Sequence, residues 1–241
     1  MYPTICTIGP ITIYSYGVMM ALAFFICSWL LSRDACRFNL SSEVVSDMIF
    51  WIVISGLLGA RLFFIVLNWD YFRENPVEIF MIQHGGLSWQ GGFILGSGAG
   101  LYLVRKRSLP LLPVVDLFAP YIALGQAIGR IGCFLNGCCY GKEVAWGMFF
   151  PVHQARLHPT QIYESLGLLG VFFILKKCQQ LKHGAGDIFF LYLFLASMLR
   201  FIVEFFRGDP APVLGGLRIF QVISLGITLL AVYVRVRRKS R

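Results

Sequence analysis

Charge in this 241-residue chain is confined almost entirely to short gaps between long apolar runs. Seven runs stand out, at about residues 11–31, 47–67, 87–104, 111–128, 160–175, 187–206 and 217–234. Each approaches the roughly 20 apolar residues that carry a helix across a hydrocarbon layer. Inside such a layer the backbone must satisfy its own hydrogen bonds, and a helix does so within one segment. The pattern therefore predicts an all-α, polytopic membrane protein. It forms a single integral membrane domain over 1–241, with about seven transmembrane helices. Charged residues make up only 14% of the chain, against about a quarter in soluble domains, which excludes the ordinary soluble classes.

The net charge of +9 would suggest nucleic acid in a soluble protein. Here the basic residues punctuate apolar runs, no basic patch is interleaved with aromatics, and nucleic acid is not an expected partner. Their distribution is a topology signal instead. One set of gaps holds Arg33, Arg37, Arg105, Lys106, Arg107, Lys176, Lys177 and Lys182, and the tail adds Arg235, Arg237, Arg238, Lys239 and Arg241. The opposite set holds only Arg73, Lys142, Arg156, Arg207 and Arg218. The excess predicts an outside N-terminus and a cytoplasmic C-terminus. No Lys or Arg precedes Arg33, so the first run lacks the basic leader of a cleaved signal peptide and is expected to remain as a helix. Glycines at 56, 59, 91, 92 and 96 predict close helix–helix approach.

Three arginines fall inside or at the edge of runs: Arg61, Arg130 and Arg200. A cation at membrane depth is costly and marks a site by default. Arg130 stands in Gly129-Arg130-Ile131-Gly132, which continues to Asn136 and Gly141. Glycines let backbone approach a ligand, and a guanidinium presents a two-pronged donor to phosphate. A broken or re-entrant segment near 129–141 would suit that use. Snorkelling or pairing with a carboxylate is the bland reading of the same arginine. Arg200, Glu204 and Arg207 are spaced four and three apart, so they share a helix face. Spacing alone fits a structural ion pair as well as a site.

His158-Pro159-Thr160-Gln161-Ile162-Tyr163-Glu164 is unusually polar for the mouth of a span. Pro159 suits a first helical position, so the segment opens the fifth run, and capping with interfacial tyrosine is its structural reading. Tyr14 to Gly17 and His84 to Gly92 are weaker signals, each explicable by an interface. Four of the seven cysteines are scattered and read as small apolar fillers. Cys133, Cys138 and Cys139 cluster, but with His153 or His158 they make no known zinc spacing. A disulfide or simple packing is the stronger reading, and no metal or cofactor is expected.

Taken in order, Tyr16-Gly17, His84–Gly92, Gly129–Gly141, His158–Glu164 and Arg200–Arg207 resemble the prolipoprotein diacylglyceryl transferase family of bacterial inner-membrane enzymes. The resemblance spans nearly the whole chain. It implies a cytoplasmic (inner) membrane, multi-pass location, with phosphatidylglycerol as donor and prolipoprotein lipobox cysteines as acceptors. The implied products are a thioether-lipidated prolipoprotein and glycerol 1-phosphate. It also implies that Arg130 binds phosphatidylglycerol, that Arg200 and Glu204 form a required pair, and that Tyr16 and Gly141 are required. Gly129, Gly132, Asn136, Gln90, His84 and Arg207 complete the expected substrate-binding set.

Four positions depart from the family pattern. Gln90 stands where a histidine is typical, Cys133 and Cys138 where Asn and Glu are typical, and Ala196 where a tyrosine is typical. Glutamine takes up no proton at neutral pH, so any general base falls to His158 or His84. The arginines would meet charge on the leaving phosphate while Glu204 orients Arg200. Two other readings share these features: a related transferase with another thiol acceptor, and a non-catalytic lipid-binding or transport protein.

Overall fold

The computed structural model describes residues 2–8, 11–81, 85–208 and 218–239. Helix dominates, and three helices are long and apolar enough to cross a membrane by length and composition. The chain divides into two compact units, Met1–Leu30 with Val115–Arg241, and Leu31–Val114.

The smaller unit is built around α2 (Ser42–Leu67) and α4 (Trp89–Lys106), with the short α3 (Trp69–Glu74) and two 3-10 turns between elements. Ser41 starts α2, its hydroxyl accepting from the Val44 N–H at 3.2 Å. The glycines predicted to allow close approach do so. A Cβ on Gly59 would stand 2.5 Å from the Gly91 carbonyl, and one on Gly92 3.2 Å from that of Gly56. Arg61 is buried here, and its guanidinium is spent on structure. It donates to the carbonyls of Ile79 at 3.2 Å, Gly85 at 2.5 Å, Gly86 at 3.1 Å and Met81 at 3.3 Å, and to that of Glu78. The Phe72 ring lies beneath it. The functional weight that an intramembrane arginine suggests does not apply to Arg61: it staples the loop between α3 and α4.

The larger unit begins with an antiparallel hairpin, β1 (Thr4–Ile8) and β2 (Ile11–Tyr14). The first span therefore starts at Ser15 rather than residue 11, because the run Ile-Thr-Ile-Tyr is β-branched and pairs as a strand. After α1 (Ser15–Asp34) come α5 (Leu111–Asn136), a second hairpin of β3 (Glu143–Phe150) and β4 (Ala155–Leu157), then α6 (Thr160–Gln180), α7 (Asp187–Glu204) and α8 (Ile219–Lys239). The core of α5, α6 and α7 is Ala119, Ala123, Val171, Leu175, Ile188 and Tyr192. Asp116 of α5 caps α7 from a distance, accepting from the N–H groups of Gly186 at 2.5 Å and Phe189 at 2.8 Å.

Large apolar side chains point outward along these helices, among them Phe25, Phe173, Leu229 and Leu230. A water-soluble fold would bury them, whereas lipid tails are their natural solvent. α7 has the length of a span but carries Asp187, Arg200 and Glu204, three charges in eighteen residues.

The expected break near 129–141 is absent over 129–136. α5 runs without interruption to Asn136, and Gly137, at φ 76°, ends it. The Cys138 N–H returns to the Cys133 carbonyl at 3.2 Å and the Gly137 N–H to that of Phe134 at 3.1 Å. This is a Schellman turn, in which glycine takes the left-handed position without steric penalty. The helix is intact because its amides are already bonded and Gly137 supplies a cheap stop.

Candidate active site

Because α5 continues past Ile128, Arg130 sits on a helix and not on a glycine loop. Gly129 and Gly132 accordingly serve packing and not ligand approach. A Cβ on Gly132 would lie 3.1 Å from Met19 Cβ and 3.2 Å from the Tyr16 ring, and one on Gly129 3.6 Å from Met20 Sδ. Their small size lets α1 close against α5, while their amides lie inside the helix. That contact also brings Tyr16, in the first turn of α1, within electrostatic reach of Arg130.

Arg130 meets a partner on α6. Its Nη2 lies 2.9 Å from Glu164 Oε1, and the other oxygen of the same carboxylate, Oε2, accepts from Arg200 Nη1 of α7 at 3.2 Å. One carboxylate therefore bridges two guanidiniums from two other helices. Arg200 Nη2 lies 2.9 Å from Oε2 of Glu204, which is wholly buried. Glu204 in turn has Arg207 Nε at 3.9 Å and Arg218 Nη1 at 4.0 Å, and Arg218 also donates to the Glu204 carbonyl at 2.8 Å. The Phe220 ring stacks 5.1 Å from the Arg200 guanidinium. Among the described residues, four guanidiniums thus face two carboxylates in a poorly solvated cluster. Neither Glu164 nor Arg218 is among the site residues that the sequence suggested. The polar density from His158 to Glu164, a segment that the resemblance also covers, was the signal for the first, and a loop arginine carries none for the second.

The remaining residues divide. Gly141 is enclosed by protein: a Cβ there would stand 2.5 Å from the Phe206 carbonyl and 2.8 Å from Thr160 Cγ2, and would meet His158 Cβ. Its N–H donates to the His158 carbonyl at 2.9 Å, and the Lys142 N–H to that of Phe206 at 2.8 Å. Gly141 thus ties the segment after α5 to the starts and ends of α6 and α7. His158 is buried, hydrogen-bonded through Nδ1 to the Tyr163 hydroxyl at 3.2 Å, with Trp146 and Phe206 edge-on to its ring. Pro159 takes the cap position rather than the first helical one, and α6 begins at Thr160.

Asn136 closes α5, next to the cysteine cluster. All seven cysteines are free thiols, and no disulfide joins the trio. The Cys139 thiol is held below its ordinary value, first by hydrogen bonds from the Cys133 and Cys138 thiols and then by the guanidiniums of Arg207 and Arg130. Gln90 belongs to the Leu31–Val114 unit, where its Oε1 accepts from the Ser88 hydroxyl at 2.6 Å. His84 lies outside the described residues.

An arginine–carboxylate ladder strung across apolar helices is paired with a sequence similarity that covers the chain. The family model for prolipoprotein diacylglyceryl transferase matches residues 3–237. The chain belongs to this family. The curated phosphatidylglycerol–prolipoprotein diacylglyceryl transferase of Bacillus mycoides is 34% identical over 245 aligned residues, covering 96% of this chain and 90% of the relative. The enzymes of that name from Bacillus cereus and Bacillus anthracis are 33% identical over the same shares. Every rung of the ladder lies inside the stretch that the prolipoprotein diacylglyceryl transferase family model matches.

Proposed function

We propose that this protein transfers the diacylglyceryl group of phosphatidylglycerol to the lipobox cysteine of prolipoproteins. The acceptor sulfur forms a bond to the lipid glycerol carbon that carries phosphate. The carbon–oxygen bond breaks, and glycerol 1-phosphate departs with the electron pair. The thiol proton passes to a base or to water. Negative charge grows on the leaving phosphate, and that is the main electrostatic problem of the reaction.

The observation that carries this reading is the Glu164 bridge, which holds Arg130 and Arg200 side by side among apolar helices. A phosphate monoester carries about −1.5 to −2 charges at neutral pH, and guanidiniums held close together are strong donors to it. Glu164 and Glu204 preorganise the guanidiniums, so little reorientation is needed as charge develops. Arg207 extends the cationic surface, and Tyr16 and Asn136 border it. His158, buried just before α6, is assigned as the base, and Gly141 holds its backbone. Gln90 and His84 are assigned to substrate contact.

The seven long helices would all cross the bacterial cytoplasmic membrane, with the N-terminus outside and the basic tail inside. The Lys and Arg distribution supports this orientation. The whole chain acts as one transferase domain.

The test incubates the purified protein with phosphatidylglycerol and a lipobox peptide, and follows peptide mass and glycerol 1-phosphate release. Both products are expected in equal amounts. Bound lipid without either product would overturn the reading, and transfer to thiols lacking a lipobox would redirect it to another acceptor. Arg130→Ala is expected to abolish transfer in membranes depleted of other transferase, and wild-type rates in that variant would remove Arg130 from its role.

A further inference from the structure

Cys133, Cys138 and Cys139 are brought together by the turn that ends α5. Cys133 lies three residues before the helix end, and the Schellman turn folds Cys138 back over it. Cys139 follows at φ 64°, a left-handed conformation that costs a residue with a Cβ about 1–2 kcal/mol. The strain is held from outside. His153 Nε2 donates to the Gly137 carbonyl at 3.0 Å, Gln161 Nε2 to that of Cys138 at 2.6 Å, and Thr160 Oγ1 to that of Cys139 at 2.8 Å. Three consecutive carbonyls are thus pinned by three separate side chains. Such over-determined strain clusters at sites that bind or react. Its result here is that all three Sγ atoms lie within 4.8 Å of one another, half-buried. A disulfide or simple packing, the reading that spacing alone favours for the trio, does not account for this convergence of free thiols.

We propose that Cys133, Cys138 and Cys139 form a three-thiolate site for a thiophilic closed-shell cation, Zn2+ or Cu+. Zinc–sulfur bonds of about 2.3 Å in tetrahedral geometry set sulfurs about 3.8 Å apart, so closure needs movements of under about 1 Å. Thiolates select these ions over hard cations. Neither neighbouring histidine joins the set, since His153 holds the Gly137 carbonyl and His158 the Tyr163 hydroxyl. Three ligands leave a fourth position for water or an outside thiol. Three thiolates around Zn2+ carry a net charge of −1, which suits the neighbourhood of Arg130 and Arg207, both in electrostatic reach of the thiols. An ion here would lock the end of α5 one turn beyond Arg130.

The full-length protein, purified anaerobically in detergent, is exposed to Zn2+ or Cu+ and desalted, and its bound metal is measured. About one ion per chain is expected, with Cys139→Ser and Cys138→Ser weakening retention at least about tenfold and Cys178→Ser leaving it unchanged. Co2+ is expected to give thiolate charge-transfer absorption in the wild type. Thiol alkylation followed by peptide mapping covers the case of a variant that fails to fold. Metal is expected to protect residues 133, 138 and 139 of the wild type while exposed Cys6 and Cys36 react. Retention by neither ion, equal retention in both cysteine variants, or a disulfide within the trio in the anaerobic protein would each overturn the proposal. The arm that retains metal, zinc or copper, identifies the ion.

Discussion

Replacing Glu164 by Gln keeps the side chain's shape and removes one charge from the centre of the ladder. Its two contacts, 2.9 Å to Arg130 and 3.2 Å to Arg200, put charge centres about 4 Å apart. At an effective dielectric of about 20, each attraction is about 4 kcal/mol before desolvation is counted. Glutamine also leaves the two guanidiniums about 6–8 Å apart with no negative charge between them, a repulsion of about 2–3 kcal/mol on the same scale. Breaking a buried pair costs about 3–5 kcal/mol. Arg130 and Arg200 keep 26% and 19% of their side-chain surface exposed. Water therefore offsets part of the loss, and the expected destabilisation is about 2–3 kcal/mol.

The kinetic effect has a different signature from the stability effect. Losing the bridge loosens Arg130, while Arg200 keeps its Glu204 contact, and a misplaced transition-state donor costs about 10²–10³ in kcat. The extra positive charge still attracts an anionic headgroup, so KM for phosphatidylglycerol is expected to stay level or fall. Glu164→Asp, with the charge kept and the reach shortened, is expected to fall between the two. The assay is initial rate of glycerol 1-phosphate release against lipid concentration, with thermal unfolding in detergent alongside. A Glu164→Gln protein with wild-type kcat and wild-type melting would refute the bridge as a device of catalysis and of stability. A raised KM with unchanged kcat would reassign Glu164 to lipid binding alone.

Two further outcomes follow from the site. Gly141→Ala places a methyl group 2.5 Å from the Phe206 carbonyl and against the side-chain atoms His158 Cβ and Thr160 Cγ2, none of which can yield cheaply; an overpacking loss of about 1–3 kcal/mol is expected in thermal unfolding, and wild-type stability would contradict the packing. If His158 takes the thiol proton, His158→Ala is expected to lose activity at neutral pH and to regain it as pH rises toward the free-thiol value of about 8.5, whereas a pH–rate profile parallel to wild type would reduce His158 to an aromatic-packed cap of the 141–160 region.

Much of the architecture was legible because hydropathy is local. Runs of apolar residues announce helices wherever they occur, and the structure moves their ends by only a few residues for α2, α4 and α7. The mistakes fall where a local rule had a competitor. Residues 11–14 are apolar enough for a span but β-branched enough for a strand, and a neighbouring strand decided between them. Glycines flanking Arg130 looked like a loop, yet an adjacent helix made them contact points in an unbroken α5.

The residues that carry charge within apolar runs were set by the sequence alone: Arg130, Arg200 and Glu204 could not be ignored in runs so poor in charge. Which charges pair, and through which intermediary, was decided by the rotation and depth of one helix against the next. Those are properties of packing that no single segment encodes. Glu164 became the bridge, Arg218 the outer clamp and Arg61 a loop staple for that reason, and a turn only a few residues long gathered three cysteines that their spacing had left unassigned.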